Sequence, residues 1–362
     1  MADWLSSMEQ TYEYYIVDPG TWKDKQRINN IKTSTINRDS EVETLGSATI
    51  DITESVGECY IRIYLITIQN GVREKHALGT VLVQTPSSSF NGKVREVSMD
   101  AYTPLLELKE KQLPIGYFVE KGANILEKAH LLLTTNVTDG SGQLKNLRAP
   151  VVETVCDTKL VDDFVADPSD TILAFINDLI KNAKYKLNLD EIGRVLFEPD
   201  QDIDSLQPVW TYNDDNSSIL YPDLTMDHDI YGIPNVVEVI YSNGNNQYYH
   251  REVNDDPNSP TSIVNRGREI VYRVTDPAFT GIPSKKEVEE YAKKILSESS
   301  TIEYTITYTH GYCPVRLGDC VRLNYTRAGL TNIKAKVISQ SIKCEPGCPV
   351  TEKAVFTKKL WR

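Results

Sequence analysis

The first third of the chain alternates apolar and polar residues, as strands with one buried face require. Residues 48–53 and 60–65 both follow this period of two, which predicts two half-buried strands. Asn70-Gly71 follows the second strand in sequence. This dipeptide between alternating segments indicates a two-residue hairpin turn. The strands predicted next cover residues 75–84 and 93–100, separated by a loop at 86–92. Four antiparallel strands in succession are typical of a sandwich or a barrel.

Apolar residues at helical spacing predict helices beside these strands. Two short helices are expected after Thr103-Pro104 and after Gly122, and both should pack on the first group of strands. A longer helix is predicted behind Ser284, because Glu287 three residues later can complete a capping box.

A small α/β module is predicted in the middle of the chain. Its helix begins at Asp167-Pro168-Ser169 and carries an apolar stripe over residues 172–183. A strand pair at residues 185–189 and 195–198 follows the helix. The segment at residues 139–142 (DGSG) precedes this module and is the clearest flexible connector in the chain.

The last third of the chain returns to the alternating pattern. Asn243-Gly244 predicts a second hairpin turn. The strands predicted in this part cover residues 236–240, 302–308, 320–325, 334–344 and 352–360. The pattern as a whole predicts a mixed, β-rich α+β fold with two antiparallel β-barrel-like domains and an inserted small α/β module.

The expected domain organisation has four segments. They are an N-terminal arm at residues 1–40, a first barrel-like domain with packed helices at 41–150, an α/β insert at 151–232, and a second β-rich domain with an inserted helix at 233–362.

The composition argues against several classes of protein. Apolar residues make up 40% and charged residues 25% of the chain, as in ordinary folded domains. No apolar run approaches the roughly 20 residues of a membrane span, and the first residues lack a secretory signal, so we expect synthesis in the cytoplasm and no membrane segment. The net charge of -12 argues against a nucleic-acid coat but is compatible with a pore through which DNA slides.

Six cysteines raise the question of a metal site. Cys313, Cys320, Cys344 and Cys348 lie toward the C-terminus, and a Pro-Gly pair between the last two supplies the turn of a zinc knuckle. Their spacings differ from those of zinc ribbons, and buried thiols in a reducing compartment behave as small apolar residues. We favour plain thiols, with no metal or cofactor, and keep zinc as the alternative.

No motif predicts catalysis. The five histidines stand outside metalloprotease, zinc-finger and deaminase spacings. Asp227-His228-Asp229 offers metal-ligand chemistry, but neighbouring residues of an extended chain point to opposite faces, which favours a polar loop. The acidic runs at residues 198–204 and 252–256 raise the question of a glycosidase pair and are interpreted as solvated edges. We predict no catalytic residues.

Tyrosine is abundant, with twenty residues against seven phenylalanines. Clusters occur at residues 12–15 and 241–249. Strands favour tyrosine, and exposed rings also build sugar sites and wet protein interfaces. We expect these rings to serve strand packing and protein interfaces together.

Short stretches spread over residues 44–323 carry a family resemblance. They are LGTVLV at residues 78–83, DAYTPLL at 100–106, IPNVV at 233–237, NSPTSI at 258–263 with RGR at 266–268, and LGDCV at 317–321. In this order and spacing they resemble the baseplate hub proteins of phage tails, which cap the tail tube and hold the central spike.

The resemblance implies a homotrimer in which two tube domains per chain form a pseudo-sixfold ring that matches a hexameric tube. The implied partners are the tail tube protein, the central spike or tip protein and neighbouring baseplate proteins, with DNA only passing through the channel. The protein would belong to the virion tail baseplate and assemble in the host cytoplasm. The alternatives are a tail-tip adhesin or carbohydrate-binding module, suggested by the tyrosines, and a tail-associated cell-wall hydrolase.

Overall fold

The computed structural model describes residues 2–54, 56–90, 92–93, 95–135, 145–216, 218–242, 246–275, 277, 279 and 282–361. The strands are β1 (Glu9–Val17), β2 (Asp24–Ile28), β3 (Ile31–Asp39), β4 (Gly46–Ile52), β5 (Cys59–Gln69), β6 (Val72–Phe90), β7 (Arg95–Tyr102), β8 (Phe118–Val119), β9 (Phe164–Val165), β10 (Tyr185–Leu189), β11 (Val195–Pro199), β12 (Pro208–Asn213), β13 (Leu220–His228), β14 (Val236–Ser242), β15 (Gln247–Val253), β16 (Val271–Val274), β17 (Thr301–Gly311), β18 (Cys320–Tyr325), β19 (Leu330–Lys343) and β20 (Pro349–Lys359). The helices are α1 (Leu106–Lys109), α2 (Ile125–Thr134), α3 (Ile172–Lys181), α4 (Ile263–Arg266) and α5 (Lys285–Ser299). The predicted connector at 139–142 and the Asn243-Gly244 turn lie outside the described residues.

The chain divides into two compact units. Unit 1 comprises Met1–Leu224 and Tyr308–Ala354, and unit 2 comprises Thr225–Thr307 and Val355–Arg362. This division differs from the four expected segments. Residues 1–40, expected to form an arm, contain β1, β2 and β3, because their buried side chains belong to the cores of unit 1.

A large sheet organises the described strands. Thirteen of them pair in one sheet, with the order β13-β17-β20-β19-β3-β4-β7-β6-β5-β1-β2, and β18 joins β19 to β12 beside this path. The pairing of β3 with β19, for example Ile36 opposite Ile342, unites strands from the first and last thirds of the chain. This strand path has two ends, so the pairing of β3 with β19 does not close the sheet into a barrel. The barrel-like form of the two domains stays a prediction.

The first hairpin has the predicted turn. Asn70 and Gly71 both have positive φ, 51° and 77°, between paired strands β5 and β6, as a two-residue hairpin turn of type I′ requires. The loop predicted at residues 86–92 was wrong, because β6 continues to Phe90 and pairs with β7 alone beyond Val83. An edge position of this kind tolerates Pro86.

The helices of unit 1 pack into one apolar core with Trp22 and Tyr60. The buried apolar stripes of α2 and α3, together with Leu108 of α1, supply twelve of the 26 buried residues of this core. Helix α3 begins at Ile172, later than expected, because the Thr171 hydroxyl caps it by accepting from the Ala174 amide. The predicted strand pair is present as β10 and β11.

Unit 2 contains a three-stranded sheet, in the order β15-β14-β16, against which α5 packs. The predicted capping box is present at Ser284 and Glu287. The core of this unit is formed by buried residues of β14 and α5: Val237, Val239, Val288, Ala292 and Leu296. Within the described ranges, no helix combines the length and apolarity of a bilayer crossing.

Candidate functional site

A network of polar side chains is enclosed in unit 1. Its centre is Glu352 on β20, which is fully buried, as is His310 on β17. Gln340 Nε2 donates to Glu352 Oε2 at 2.8 Å, the Tyr308 hydroxyl donates to the other carboxylate oxygen, and His310 Nε2 lies 3.4 Å from Oε2. A buried carboxylate needs such partners, because removal from water would otherwise make its charged form costly.

The His310 imidazole is held at both ring nitrogens. Nδ1 lies 2.7 Å from the Gly311 carbonyl oxygen, and Nε2 lies 3.1 Å from the Tyr212 hydroxyl. Burial by itself lowers the pKa of His310, but hydrogen bonds to Cys313 and Glu352, together with their charges, raise this pKa to about 10. The folded protein therefore contains an imidazolium that faces the Glu352 carboxylate at neutral pH.

This arrangement has acid–base groups but no access for a substrate. His310 and Glu352 are both closed off from solvent. Burial raises the pKa of Tyr308 well above its ordinary value, and the charge of Glu352 raises it further. The network therefore fixes how β17, β19 and β20 align, and the contact of His310 with Tyr212 adds β12 to this group. The sequence carried one signal of it, since His310 stands at an apolar phase of the alternating strand after Ile306 and Tyr308.

A second polar anchor joins the α/β module to the first strands of unit 1. Arg62 on β5 is buried and donates to Thr80 Oγ1 at 2.9 Å, to Asp24 Oδ1 at 3.1 Å, and to the carbonyl oxygens of Trp22 at 3.2 Å and Ile192 at 3.1 Å. The Trp22 indole N–H donates to the same Ile192 carbonyl at 2.7 Å. The turn between β10 and β11 is thus fastened to β5 and to the loop before β2.

The four cysteines near the C-terminus are buried. Cys313 contacts the network of His310 and Tyr212, whereas Cys344 and Cys348 stand at the two ends of the turn between β19 and β20. Burial raises the pKa of the Cys344 thiol to about 11 and that of Cys348 to about 12. In the part of the chain that the structure describes, no three His, Cys, Asp or Glu side chains are grouped to hold a metal ion.

The Asp227-His228-Asp229 sequence is not arranged as a metal site. The His228 ring stacks on Tyr304, with the ring centroids 4.7 Å apart, and the Asp229 carboxylate accepts from the backbone N–H of Tyr231 at 2.7 Å. Asp227 and His228 end β13, and Asp229 belongs to the turn that follows the strand.

The acidic runs form local contacts. Asp200 pairs with Lys336 at 3.3 Å, and Glu198 accepts from the Asn188 amide at 2.8 Å. In the second run, Glu252 lies 3.0 Å from His250 on the same strand. These contacts give the acids local structural roles.

The tyrosines fall into buried and exposed groups. Tyr14 is buried against Ser34, whose hydroxyl lies 3.1 Å from the Tyr14 hydroxyl, and Tyr241 stacks on Tyr248 across β14 and β15. Tyr231 is 91% exposed and Tyr249 is 54% exposed. The first group serves strand packing, and the second leaves rings at the surface.

Comparisons with known proteins show similarity in fold but not in sequence. No protein-family model and no curated protein matches the chain. A tail protein from Neisseria meningitidis matches with a TM-score of 0.59 at 14% identity, over 97% of this chain and 98% of that one. The chain has the fold of a tail protein. The 43 kDa tail protein of prophage MuSo2 from Shewanella oneidensis matches with a TM-score of 0.58 at 10% identity, over 96% and 98% of the two chains.

A third solved structure shares this fold over part of its length. A chain of a Francisella PdpA–VgrG complex matches with a TM-score of 0.53 at 11% identity, over 98% of this chain. The match covers 53% of that chain, so the shared fold is about half of the larger protein.

Proposed function

We propose that this chain is a structural, non-enzymatic hub of a phage tail. Three copies form a pseudo-sixfold ring that joins the end of the tail tube to the central spike or tip and leaves a channel for DNA. The observation that carries the proposal is the end-to-end match to two tail proteins, which leaves almost no part of either chain outside the shared fold.

The strand order supports a ring in which each copy supplies two tube-like faces. In a single sheet, β3 pairs on one side with β4, which belongs to residues 41–150, and on the other side with β19, which belongs to residues 233–362. Three copies then present six faces to the tube. Ring closure would also cover sheet ends such as β2, which otherwise offer unpaired backbone groups to any passing strand.

The polar groups support a structural role. The acid–base residues of the His310 network are enclosed, and they hold strands together rather than face a cleft. The net charge of -12 suits a channel from which DNA must detach readily. The proposed partners are the tube protein, the spike or tip protein and neighbouring baseplate proteins, in a virion tail assembled in the host cytoplasm.

The test is assembly of the full chain. Sedimentation of the purified protein should give a mass of three copies, and electron micrographs with its tail tube protein should show threefold rings at the tube end. A chain that stays monomeric, alone and with tube and spike proteins, would overturn the proposal. Specific binding on a glycan array, or release of murein fragments, would instead support the adhesin or the hydrolase.

A further inference from the structure

Two cysteines flank the turn that joins β19 to β20. Cys344 directly follows β19 and Cys348 directly precedes β20, with only Glu345, Pro346 and Gly347 between them. A connection this short joins antiparallel strands, because a parallel pair needs a crossover of about a dozen residues or more. β19 and β20 therefore form an antiparallel hairpin, and the hub role proposed above uses neither of its two thiols.

The strand register places the two cysteines opposite each other. Gln340 of β19 and Glu352 of β20 are joined by a side-chain hydrogen bond of 2.8 Å, and the two strands are neighbours in the sheet. Equal steps from this pair toward the turn bring Cys344 opposite Cys348. Both thiols are buried in the same apolar cluster, as side chains on one face of a hairpin should be.

The backbone at Cys344 shows which kind of opposing pair this is. Its N–H donates to the Ser34 carbonyl of β3 at 2.8 Å, so its backbone groups point away from β20. Opposing residues that exchange no backbone hydrogen bonds have the shorter separation between Cα atoms, about 4.5 Å. Disulfides span Cα separations of about 4.4–6.8 Å, so a bond between the two sulfur atoms fits the hairpin.

Two further observations concern Cys348. Burial is the main cause of its raised pKa, and the charge of Cys344 raises this pKa further, so the two sulfur atoms lie within electrostatic reach of each other. Cys348 also has a φ of 42°, in the left-handed region that favours glycine. A cysteine at this position costs conformational energy that glycine would avoid, which favours a role for its side chain.

The other cysteines differ in their surroundings. Cys59 lies opposite a valine of β6, and Cys320 lies opposite a lysine of β19. Cys313 belongs to the buried polar network, where its sulfur atom is 3.3 Å from the Tyr212 hydroxyl. In the pair at the turn, by contrast, the register alone brings two thiols face to face.

We propose that Cys344 and Cys348 are a disulfide-forming pair, reduced when the chain folds and oxidised after the assembled tail has left the host cell. The timing rests on the proposed function, because a virion tail assembles in the reducing cytoplasm and then meets an oxidising medium. The bond closes the tip of the hairpin whose two strands the His310 network aligns.

The oxidant is a small-molecule disulfide, and the exchange balances in two steps. One cysteine thiolate attacks a sulfur atom of this disulfide, which forms a mixed disulfide and releases one small thiolate. The second cysteine thiolate attacks the protein sulfur of the mixed disulfide and releases the second small thiolate. The two protons of the cysteines end on the released thiolates, so two protein thiols are oxidised and one small disulfide is reduced to two thiols.

Burial makes this reaction slow in the folded chain. Both cysteines are at most 4% exposed, and their raised pKa values leave little thiolate at neutral pH. The three residues between them are exposed, and the Tyr12 hydroxyl donates to the Glu345 carbonyl at 2.7 Å. Opening of the turn must therefore precede attack, and the hydrogen bond from Tyr12 opposes that opening.

The test follows the thiols of the full chain in a glutathione buffer. The chain is purified with a reductant, transferred to a mixture of oxidised and reduced glutathione, denatured with an alkylating reagent and digested with trypsin. Both cysteines fall in the single tryptic peptide of residues 344–353, which should become two hydrogen atoms lighter and lose its alkylation sites. The other cysteines should form no disulfide with one another.

A matched pair of substitutions tests the opening of the turn. Tyr12→Phe removes the hydrogen bond to the Glu345 carbonyl and should speed oxidation about fivefold, the ratio that corresponds to one ordinary hydrogen bond. Tyr15→Phe removes a hydroxyl of the same strand, which is bonded to Glu13 at 3.2 Å, and should leave the rate unchanged. Cys348→Ala should abolish the change in mass, and circular dichroism should show that this variant is folded.

The outcomes separate this inference from the proposed function. A peptide 344–353 that keeps both free thiols in the glutathione mixture would overturn the pairing, as would a disulfide from either residue to another cysteine. Protein from purified phage particles should carry the bond, whereas protein alkylated inside infected cells should be reduced, and a reduced pair in the particles would overturn the timing. A chain absent from the particles would defeat the proposed function and the timing with it, but not the pairing measured in glutathione.

Discussion

Replacing Arg62 by methionine should destabilise unit 1 by about 2–3 kcal/mol. The substitution keeps a long apolar side chain in the interior but removes the hydrogen bond to the Ile192 carbonyl, which fastens the β10–β11 turn to β5. The groups that accept hydrogen bonds from Arg62 do not all become unpaired when it is replaced. Asp24 keeps bonds from the Tyr64 hydroxyl at 2.8 Å and from Lys75 at 3.3 Å.

The remaining partners determine the magnitude. The Ile192 carbonyl keeps the Trp22 indole N–H, whereas the Trp22 carbonyl and the Thr80 hydroxyl lose their bonds from Arg62. Each buried polar group left without a partner costs about 1–3 kcal/mol. The substitution also removes the cost of burying the guanidinium charge, and this gain offsets part of the cost of the unpaired groups. The net loss of stability should therefore be about 2–3 kcal/mol.

Urea unfolding followed by circular dichroism measures the loss. The matched control is Arg27→Met, since Arg27 on β2 is half exposed, pairs with Glu13 at 3.0 Å, and should contribute less than about 1 kcal/mol. Equal losses in the two variants would refute the role assigned to Arg62. A double-mutant cycle with Trp22→Phe should give more than the sum of the single losses, because the Ile192 carbonyl then loses both donors.

Three further changes have defined outcomes. Gly193→Ala should cost more than about 1 kcal/mol in urea unfolding, because Gly193 has a φ of 78° and its Cβ would lie 2.9 Å from Thr80 Cβ; a neutral result would contradict a rigid turn. The folded pKa of His310 is raised from 6.5 to about 10, so its stabilising effect is complete below pH 6.5 and is lost as pH rises toward 10. The stability of the unmodified protein should fall over that range by at most about 1.4 kcal/mol per pH unit, and His310→Gln should lack this component of the slope. Ser284→Ala removes a capping box and should cost about 1 kcal/mol, seen as faster hydrogen exchange in α5, whereas unchanged exchange would argue against the cap.

The sequence predicted most elements that have a local cause. The Asn70-Gly71 turn, the cap at Ser284 and the apolar stripe of α3 all depend on neighbouring residues, and all are present in the fold. β1, β2 and β3 were missed because their strand pairing depends on distant segments, and β3 is completed by β19 at the other end of the chain.

The site residues were harder to predict for the same reason. Glu352 stands 42 residues from His310, and Arg62 reaches a carbonyl 130 residues away. No motif spacing represents such contacts, because sheet pairing brings the residues together. The exposed side chains of Phe118 and Val165 were equally hard to predict, because an apolar residue in a sequence predicts burial unless the fold leaves it outside.

The buried ion network has a role that an apolar cluster of the same volume would not fill. A strand that slips by two residues keeps its apolar face toward the core, so packing alone discriminates weakly between such registers. A slip of that size in β20 would put Val350 or Ala354 in the place of Glu352 and leave the His310 imidazolium buried without its carboxylate. Loss of one partner from a buried ion pair costs about 3–5 kcal/mol, far more than the pair contributes when intact. The network therefore selects one alignment of β17, β19 and β20. Strand β19 carries that alignment to β3, where strands from the two ends of the chain pair.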